Sequence, residues 1–218
     1  MNRTAALRGI LQRAPVIPVI VVQELRHALP LAEALCEGGL TVLEVTLRTP
    51  VALEAITAMR KALPQATVGV GTITQAAHFR EADDAGAQFG VSPGLTPELL
   101  EASARVGWPW LPGVMTPGEL MHARAQGLSL CKLFPAQQAG GVGMLKALYS
   151  VFPEVAFCPT GGVSRENAPD FLALPNVLCV GGSWVAPAAK VAGGDWAGIR
   201  ALAADAAQRR SLAPRLAG

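Results

Sequence analysis

The strongest constraint on the fold is a regular alternation of short apolar runs with longer helical patterns along the whole chain. Eight runs rich in β-branched and apolar residues are typical of buried strands. They span residues 16–22, 41–47, 67–71, 88–92, 108–112, 128–134, 155–159 and 177–180. Strand–helix alternation implies a parallel sheet with right-handed crossovers. Eight such units in 218 residues predict an α/β fold, a closed (β/α)8 TIM barrel, with an open doubly wound sheet as the alternative.

Helix-start signals and chain continuity support this interpretation. Thr49, Thr96 and Thr116 each place a capping hydroxyl directly before a proline. Residues 3–12 are expected to form a helix that covers the bottom of the barrel. No linker divides the chain, so we expect a single domain over residues 1–218.

Composition narrows the class of function. Charged residues make up 16% of the chain, the net charge is +2, and no run of Lys or Arg occurs. Nucleic acid and anionic membranes are therefore not expected partners. No apolar stretch has the length of a transmembrane helix, and the first residues lack the order of a signal peptide. The four cysteines form no C-x-x-C pair, which favours free thiols in a reducing cytoplasm.

Lys132 is the most informative single residue. It lies in the apolar run 128–134, whereas Lys61, Lys146 and Lys190 fall in helix-like or loop-like stretches. Burial disfavours the charged ammonium, and a neutral amine attacks carbonyl carbon. Lys132 is therefore a candidate to form a protonated imine that accepts electrons as an adjacent C–C bond breaks. The alternative is a lysine that extends from a strand end to solvent.

Polar side chains at the strand ends supply possible partners. Glu44, Thr46 and Arg48 share one face of the second strand. Glu44 is the candidate for proton transfer, and the alternative is a structural ion pair with Lys132. Arg48 is a candidate for binding a substrate carboxylate in a bidentate fork, with a salt bridge at the rim as the alternative. Thr72 either donates to the same carboxylate or caps the next helix.

Two glycine pairs, Gly161-Gly162 and Gly181-Gly182, follow the seventh and eighth predicted strands. Barrels often bind phosphate at this position through bare backbone N–H groups. Glycine permits the close approach and the positive φ that such a loop needs. The pattern predicts a phosphate site, and two ordinary tight turns are the alternative.

No metal site is expected. His27, His78 and His122 fall in helical stretches, and no cluster of His or carboxylate ligands is visible in the sequence. We therefore expect neither a metal nor another cofactor, which disfavours a metal-dependent lyase.

Seven motifs occur in chain order from the second strand to the eighth. They are LEVTLRT from Leu43, GVGT from Gly69, VSPG from Val91, PGVMTP from Pro112, KLFPA from Lys132, CPTGG from Cys158 and GGSW from Gly181. Together they resemble the 2-keto-3-deoxy-6-phosphogluconate aldolase family, which also cleaves 4-hydroxy-2-oxoglutarate. The resemblance implies a metal-independent Schiff-base aldolase of the Entner–Doudoroff route, built as a trimeric (β/α)8 barrel.

The resemblance also implies roles for individual residues. The imine lysine falls on Lys132, the general acid/base on Glu44, and the pyruvate-carboxylate contacts on Arg48 and Thr72. Phosphate contacts fall on Gly161, Gly162 and Ser183, and Pro93, Phe134 and Thr160 match positions that line the pocket. Two departures, Leu133 for a common phenylalanine and Gln137 for a common glutamate, affect pocket shape rather than chemistry.

Several activities remain open at this point. The leading hypothesis is cleavage of 2-dehydro-3-deoxy-6-phosphogluconate to pyruvate and glyceraldehyde 3-phosphate. Alternatives are the galactonate epimer of that substrate and 4-hydroxy-2-oxoglutarate as the main substrate. Two further classes are a phosphate-binding barrel isomerase that forms no imine and a non-catalytic sugar-phosphate binding protein.

Overall fold

The structure, a computed structural model, describes residues 3–209. Within that range short strands alternate with helices. The strands are β1 (Val16–Ile20), β2 (Val42–Thr46), β3 (Thr67–Gly71), β4 (Gly90–Val91), β5 (Trp110–Leu111), β6 (Gly113–Val114), β7 (Leu130–Leu133), β8 (Ala156–Pro159) and β9 (Val180–Gly182). The helices are α1 (Arg3–Leu11), α2 (Ala28–Glu37), α3 (Ala52–Ala62), α4 (Ala77–Asp84), α5 (Pro97–Ala104), α6 (Pro117–Ala125), α7 (Gly141–Val151), α8 (Ala168–Leu172), α9 (Ala188–Ala192) and α10 (Trp196–Ala207), and a 3-10 turn spans Leu25–His27.

The strands form two parallel groups. One sheet has six strands in the order β5-β4-β3-β2-β1-β9, and the other has three in the order β6-β7-β8. All the pairs within these sheets are parallel. The α/β class with a parallel, curled sheet is therefore confirmed.

Two junctions connect the sheets. Pro112, which has no N–H to donate, separates β5 from β6. On the other side, isolated bridges pair Phe157 with Val177 and Thr160 with Gly181. The second bridge is shifted by one residue relative to the first, so the chain bulges before β9. The β-ladder is thus interrupted at Pro112 and reduced to single bridges between β8 and β9.

The strands are buried on both faces, and alternate residues enter two separate clusters. Leu130 and Val42 belong to an inner cluster with Leu7 and Leu11 of α1. Their chain neighbours, including Cys131, pack outward against the surrounding helices. Because Leu7 and Leu11 stand one helical turn apart, α1 lays one face over the inner side chains. The expected N-terminal helix therefore closes one end of the inner core.

Some predicted boundaries were wrong for identifiable reasons. The predicted fifth strand, 108–112, is divided by Pro112. The predicted eighth strand, 177–180, begins three residues later, at Val180, because the bulge delays regular pairing, so Gly181 and Gly182 are strand residues rather than a loop. The predicted fourth strand, 88–92, shortens to Gly90–Val91.

The predicted helix caps have mixed outcomes. Thr116 and Glu119 form a reciprocal capping box, and Thr96 accepts the N–H of Leu99. Thr49 is not a cap, because its hydroxyl donates to the Val22 carbonyl at 2.6 Å. None of the helices in residues 3–209 combines the length and apolarity needed to cross a membrane.

Candidate active site

A buried amine and a buried carboxylate meet inside the curled sheet. Lys132 on β7 and Glu44 on β2 are 5% and 3% exposed. Nζ of Lys132 donates to Oε1 of Glu44 at 3.4 Å. Both follow the inward positions Leu130 and Val42 by two residues, so strand parity directs them to the same interior. The pair bridges the three-stranded and the six-stranded sheet, and the distance is close to the reach of direct proton transfer.

A glycine on the neighbouring strand makes room for the carboxylate. Gly71 at the end of β3 pairs with Thr46, and Gly69 pairs with Glu44 itself. A Cβ placed on Gly71 would lie 2.3 Å from Glu44 Oε1. The Glu44 side chain therefore leans along its strand and occupies the space beside Gly71.

Two further predicted residues lie beside Lys132. Its Nζ is 5.2 Å from the centroid of the Phe134 ring. Gly113 is the strand partner of Lys132, and a Cβ on Gly113 would lie 2.2 Å from the Pro93 carbonyl oxygen. Phe134 thus lies beside the amine, and the Pro93 backbone lies against the strand partner of Lys132.

The first glycine pair forms a loop with backbone geometry suited to an anion. Gly161 and Gly162 have φ of 95° and 72°. The loop is held by the N–H of Ala136, which donates to the Thr160 carbonyl at 2.8 Å, and by that of Gln137, which donates to Gly161 at 3.0 Å. Within residues 3–209 the N–H groups of Gly161 and Gly162 make no hydrogen bond. They are therefore available as donors.

The second glycine pair, Gly181 and Gly182, has a different structural role. Gly181 and Gly182 pair with Ile17 and Pro18 of β1. A Cβ on Gly181 would lie 2.2 Å from the Thr160 hydroxyl, and one on Gly182 would lie 2.1 Å from the Trp184 ring. Gly181 and Gly182 are therefore strand residues that make room for neighbouring side chains, and their predicted contact with phosphate stays a prediction. Thr160 itself is 6% exposed.

Arg48 and Ser183 line one cavity of about 480 Å³ at the ends of β1, β2 and β9. Its other lining residues are Val19, Val21, Gln23, Glu24, His27, Trp184, Ala186, Pro187, Ala188, Val191 and Ala192. Both Arg48 and Ser183 are exposed. No ion pair of Arg48 forms within residues 3–209, which argues against the salt-bridge alternative.

Sequence reasoning missed the contribution of the segment after β1. Gln23, Glu24 and His27 share the cavity with Arg48, and Glu24 forms an ion pair with Arg26 at 2.9 Å. The signal was present, because these residues follow the first strand on the rim where barrel sites are built.

Thr72 adopts an uncommon backbone conformation directly after Gly71. Its φ is 63°, the left-handed region that β-branched residues rarely occupy. The next helix, α4, has Ala76 at its N-cap, so Thr72 is not a helix cap. Such strain costs about 1–3 kcal/mol and is found at functional sites.

The described residues contain no cluster of metal-ligating side chains, and the thiols are free. No group of three or more His, Cys, Asp or Glu side chains in residues 3–209 is placed to hold a metal ion. All four cysteines are free. Burial raises the pKa of the Cys131 thiol to about 12. A hydrogen bond with Cys158, together with complete burial, raises the pKa of Cys179 well above its ordinary value.

Comparison with known proteins gives a uniform result. Residues 7–202 match the profile of the KDPG and KHG aldolase family. The chain is 49% identical to a 2-dehydro-3-deoxy-phosphogluconate aldolase of Dickeya dadantii, covering 94% of this chain and 96% of that protein. It is 47% identical to a KHG/KDPG aldolase of Escherichia coli K12, covering 97% and 99%.

A solved structure adds chemical detail. The KDPG aldolase of Legionella pneumophila superposes with a TM-score of 0.91 at 46% identity, covering 92% of this chain and 98% of that one. That enzyme was captured with pyruvate as a covalent carbinolamine intermediate.

Proposed function

Because the chain belongs to the KDPG and KHG aldolase family, we propose that it is a class I aldolase acting on 2-dehydro-3-deoxy-6-phosphogluconate. Its products are pyruvate and glyceraldehyde 3-phosphate. The observation that carries the proposal is the buried Lys132 amine 3.4 Å from the Glu44 carboxylate. An isomerase that forms no imine, or a protein that only binds sugar phosphates, needs no buried lysine for its chemistry.

The first half of the reaction forms the imine. A proton passes from the Lys132 ammonium to the Glu44 carboxylate, which frees the nitrogen lone pair. Nζ attacks carbonyl carbon two of the substrate, and the carbonyl oxygen takes a proton to give a carbinolamine. Loss of that oxygen as water leaves the protonated imine, with Glu44 supplying and accepting protons directly or through one water.

The second half breaks the C3–C4 bond. Glu44 accepts the proton of the C4 hydroxyl as that oxygen becomes the aldehyde of glyceraldehyde 3-phosphate. The bonding electrons move into the imine and give the enamine of pyruvate. Protonation of C3 and addition of water then release pyruvate and regenerate the Lys132 amine, so no external oxidant or reductant is required.

The two ends of the substrate are anionic, and the site offers groups for both. We assign the carboxylate to the Arg48 guanidinium and the Thr72 hydroxyl, since Arg48 is free of ion pairs among residues 3–209 and Thr72 holds a strained φ directly after Gly71. We assign the phosphate to the unpaired N–H groups of Gly161 and Gly162 and to Ser183. Pro93, Phe134 and Thr160 line the space between them.

We also propose the finer architecture that family membership suggests. The two sheets act as one closed (β/α)8 barrel over a single domain, a view supported by the bridges between β8 and β9 and by the short break at Pro112. Residues 1–2 and 210–218 of that domain lie outside the described range. The active form is a cytoplasmic homotrimer, which light scattering would test through a mass near three times 22.6 kDa.

Two related substrates remain candidates for secondary activity. The name of the E. coli relative includes KHG, which favours 4-hydroxy-2-oxoglutarate as a second substrate here. The names of the Dickeya and Legionella proteins favour the gluconate over the galactonate epimer. Steady-state kinetics with the two epimers and with the unphosphorylated substrate would rank them. Equal efficiency with and without phosphate would remove Gly161, Gly162 and Ser183 from the functional set.

Borohydride trapping tests the imine. With pyruvate present, reduction should add a stable adduct to the peptide that contains Lys132, and a chelator should not prevent it. The Lys132→Ala variant should give no adduct, whereas Lys146→Ala should label like the wild type. An adduct on Lys146, or none at all, would overturn the assignment.

Glu44→Gln tests the proton relay. The amide keeps the shape of the side chain but cannot accept a proton, so turnover should fall by about 10²- to 10⁴-fold. The end-point yield of trapped pyruvate should stay measurable. Near-normal turnover in this variant would reject Glu44 as the relay.

A further inference from the structure

We propose that Gly71 is a positioning residue for catalysis, because its missing side chain is the space in which the Glu44 carboxylate sits beside Lys132. The inference rests on the proposed function, since it concerns the relay carboxylate of that reaction. Gly71 has no side chain that could take part in the reaction, so its role is to leave space for Glu44.

The geometry leaves no room for a larger residue. A Cβ on Gly71 would lie 2.3 Å from Oε1, 2.7 Å from Cγ and 2.8 Å from Cδ of Glu44. Real Cβ atoms essentially never approach another heavy atom closer than 3.0 Å. The nearest oxygen must therefore gain at least 0.7 Å, from 2.3 to 3.0 Å, if Gly71 becomes alanine.

Backbone freedom does not explain this glycine. Gly71 lies in regular strand β3 and is absent from the positive-φ residues of the described chain. Alanine would therefore fit its backbone conformation. The alanine methyl group would instead collide with the Glu44 side chain on the neighbouring strand. Glycine is therefore required at position 71 for space, and the residue that needs the space is Glu44.

The carboxylate cannot simply retreat along β3. Gly69, the direct strand partner of Glu44, faces the Phe89 ring, whose atoms lie 2.4 Å from the place of its Cβ. That space is filled by a fully buried aromatic ring. The Phe89 ring thus fills the space beside Gly69, and the Glu44 carboxylate fills the space beside Gly71.

Displacement of the carboxylate should cost turnover more than binding. A misplacement of about 1 Å in a catalytic group costs on the order of 10²-fold in rate. Arg48 and the loop of Gly161 and Gly162 lie on other segments of the chain, so most of the assigned substrate contacts do not depend on the Gly71 recess. The loss should therefore appear in kcat, with KM little changed.

A double-mutant cycle tests the proposal. Gly71→Ala, Glu44→Ala and the double variant would be compared for kcat, KM, and exchange of the pyruvate methyl protons with deuterated solvent, which requires proton transfer at the imine. Gly71→Ala alone should lower kcat and exchange by about 10²-fold. In the Glu44→Ala background the methyl group meets no carboxylate, so Gly71→Ala should cause no further loss. An equal loss in both backgrounds, or a loss confined to KM, would overturn the proposal.

Gly181→Ala is a matched control. The same substitution creates a similar overlap, 2.2 Å, but with the Thr160 hydroxyl. Its effect on kinetics should persist in the Glu44→Ala background. If Gly181→Ala also becomes silent there, the cycle does not report a specific link between Gly71 and Glu44, and the proposal falls.

Folding and function can be separated. Gly71→Ala should lower the melting temperature in the wild type but not in the Glu44→Ala background, because the collision is absent from the double variant. This thermal coupling holds even if the wild type forms no pyruvate adduct, so failure of the proposed aldolase activity is distinguishable from failure of the Gly71 inference. A crystal structure of Gly71→Ala with Glu44 undisplaced would also refute it.

Discussion

Replacing Lys132 by methionine should destabilise the protein strongly at neutral pH. Methionine fills most of the volume of the lysine stem but removes the ammonium. Glu44, which is 3% exposed, would then be a buried carboxylate without its cationic partner. Breaking a buried pair from one side costs about 3–5 kcal/mol, because the remaining charge is desolvated without compensation.

A second substitution, at Glu44, tests whether the loss of stability in Lys132→Met is electrostatic. In a Lys132→Met, Glu44→Leu double variant both charges are gone and the volumes are nearly kept. Replacement of a whole buried ion pair by apolar residues is often neutral or stabilising. The double variant should therefore recover most of the stability lost in Lys132→Met.

Urea unfolding followed by circular dichroism at pH 7 measures both effects. With a slope of about 3 kcal/mol per molar urea, a loss of 3–5 kcal/mol lowers the midpoint by about 1–1.7 M. An unchanged midpoint for Lys132→Met, or no recovery in the double variant, would refute a desolvated pair.

Three further changes give independent tests. Thr72→Gly should raise stability by about 1 kcal/mol by relieving the positive φ, while weakening pyruvate binding; an unchanged melting temperature would argue against strain. Thr116→Ala should lower stability by about 1 kcal/mol, because it removes the capping hydroxyl of α6; no change would mean that the capping box is energetically silent. Stability should fall above about pH 9, because the unfolded thiol ionises there while burial keeps Cys131 protonated until its pKa of about 12. The decline is about 1.4 kcal/mol per pH unit for this thiol, and Cys131→Ala should reduce the slope of a pH series of unfolding curves by that amount.

The fold class was predictable because strand–helix alternation is a property of the sequence itself. Strand ends were less so, since strands buried on both faces carry no polar alternation to mark where they stop. Pro112 offered a signal that could have been used, as it cannot donate to a ladder. The bulge before β9 had no such signal, and it moved Gly181 and Gly182 from a predicted loop into a strand.

The sequence could predict which way the site side chains point, but not how far apart they lie. Parity directs Lys132 and Glu44 to one interior, but they are 88 residues apart in the chain, and only the closure of the sheet sets their separation of 3.4 Å. In the sequence Gly71 looks like an ordinary strand glycine and Gly181 like a loop glycine. Their role depends on side chains from neighbouring strands, which a linear pattern does not contain.

Lys132 and Glu44 lie on two different sheets, and this arrangement has a mechanical consequence. Among residues 3–209, strand pairing between the two sheets is reduced to the junction at Pro112 and to the isolated bridges Phe157–Val177 and Thr160–Gly181. The position of one sheet relative to the other therefore sets the distance from the Lys132 amine to its proton acceptor. Partial opening of either junction would separate the Lys132 amine from the Glu44 carboxylate while most helices stay folded. On heating, turnover is therefore expected to be lost before the helical circular dichroism signal. Mutations that stabilise these two junctions should extend the temperature range of activity.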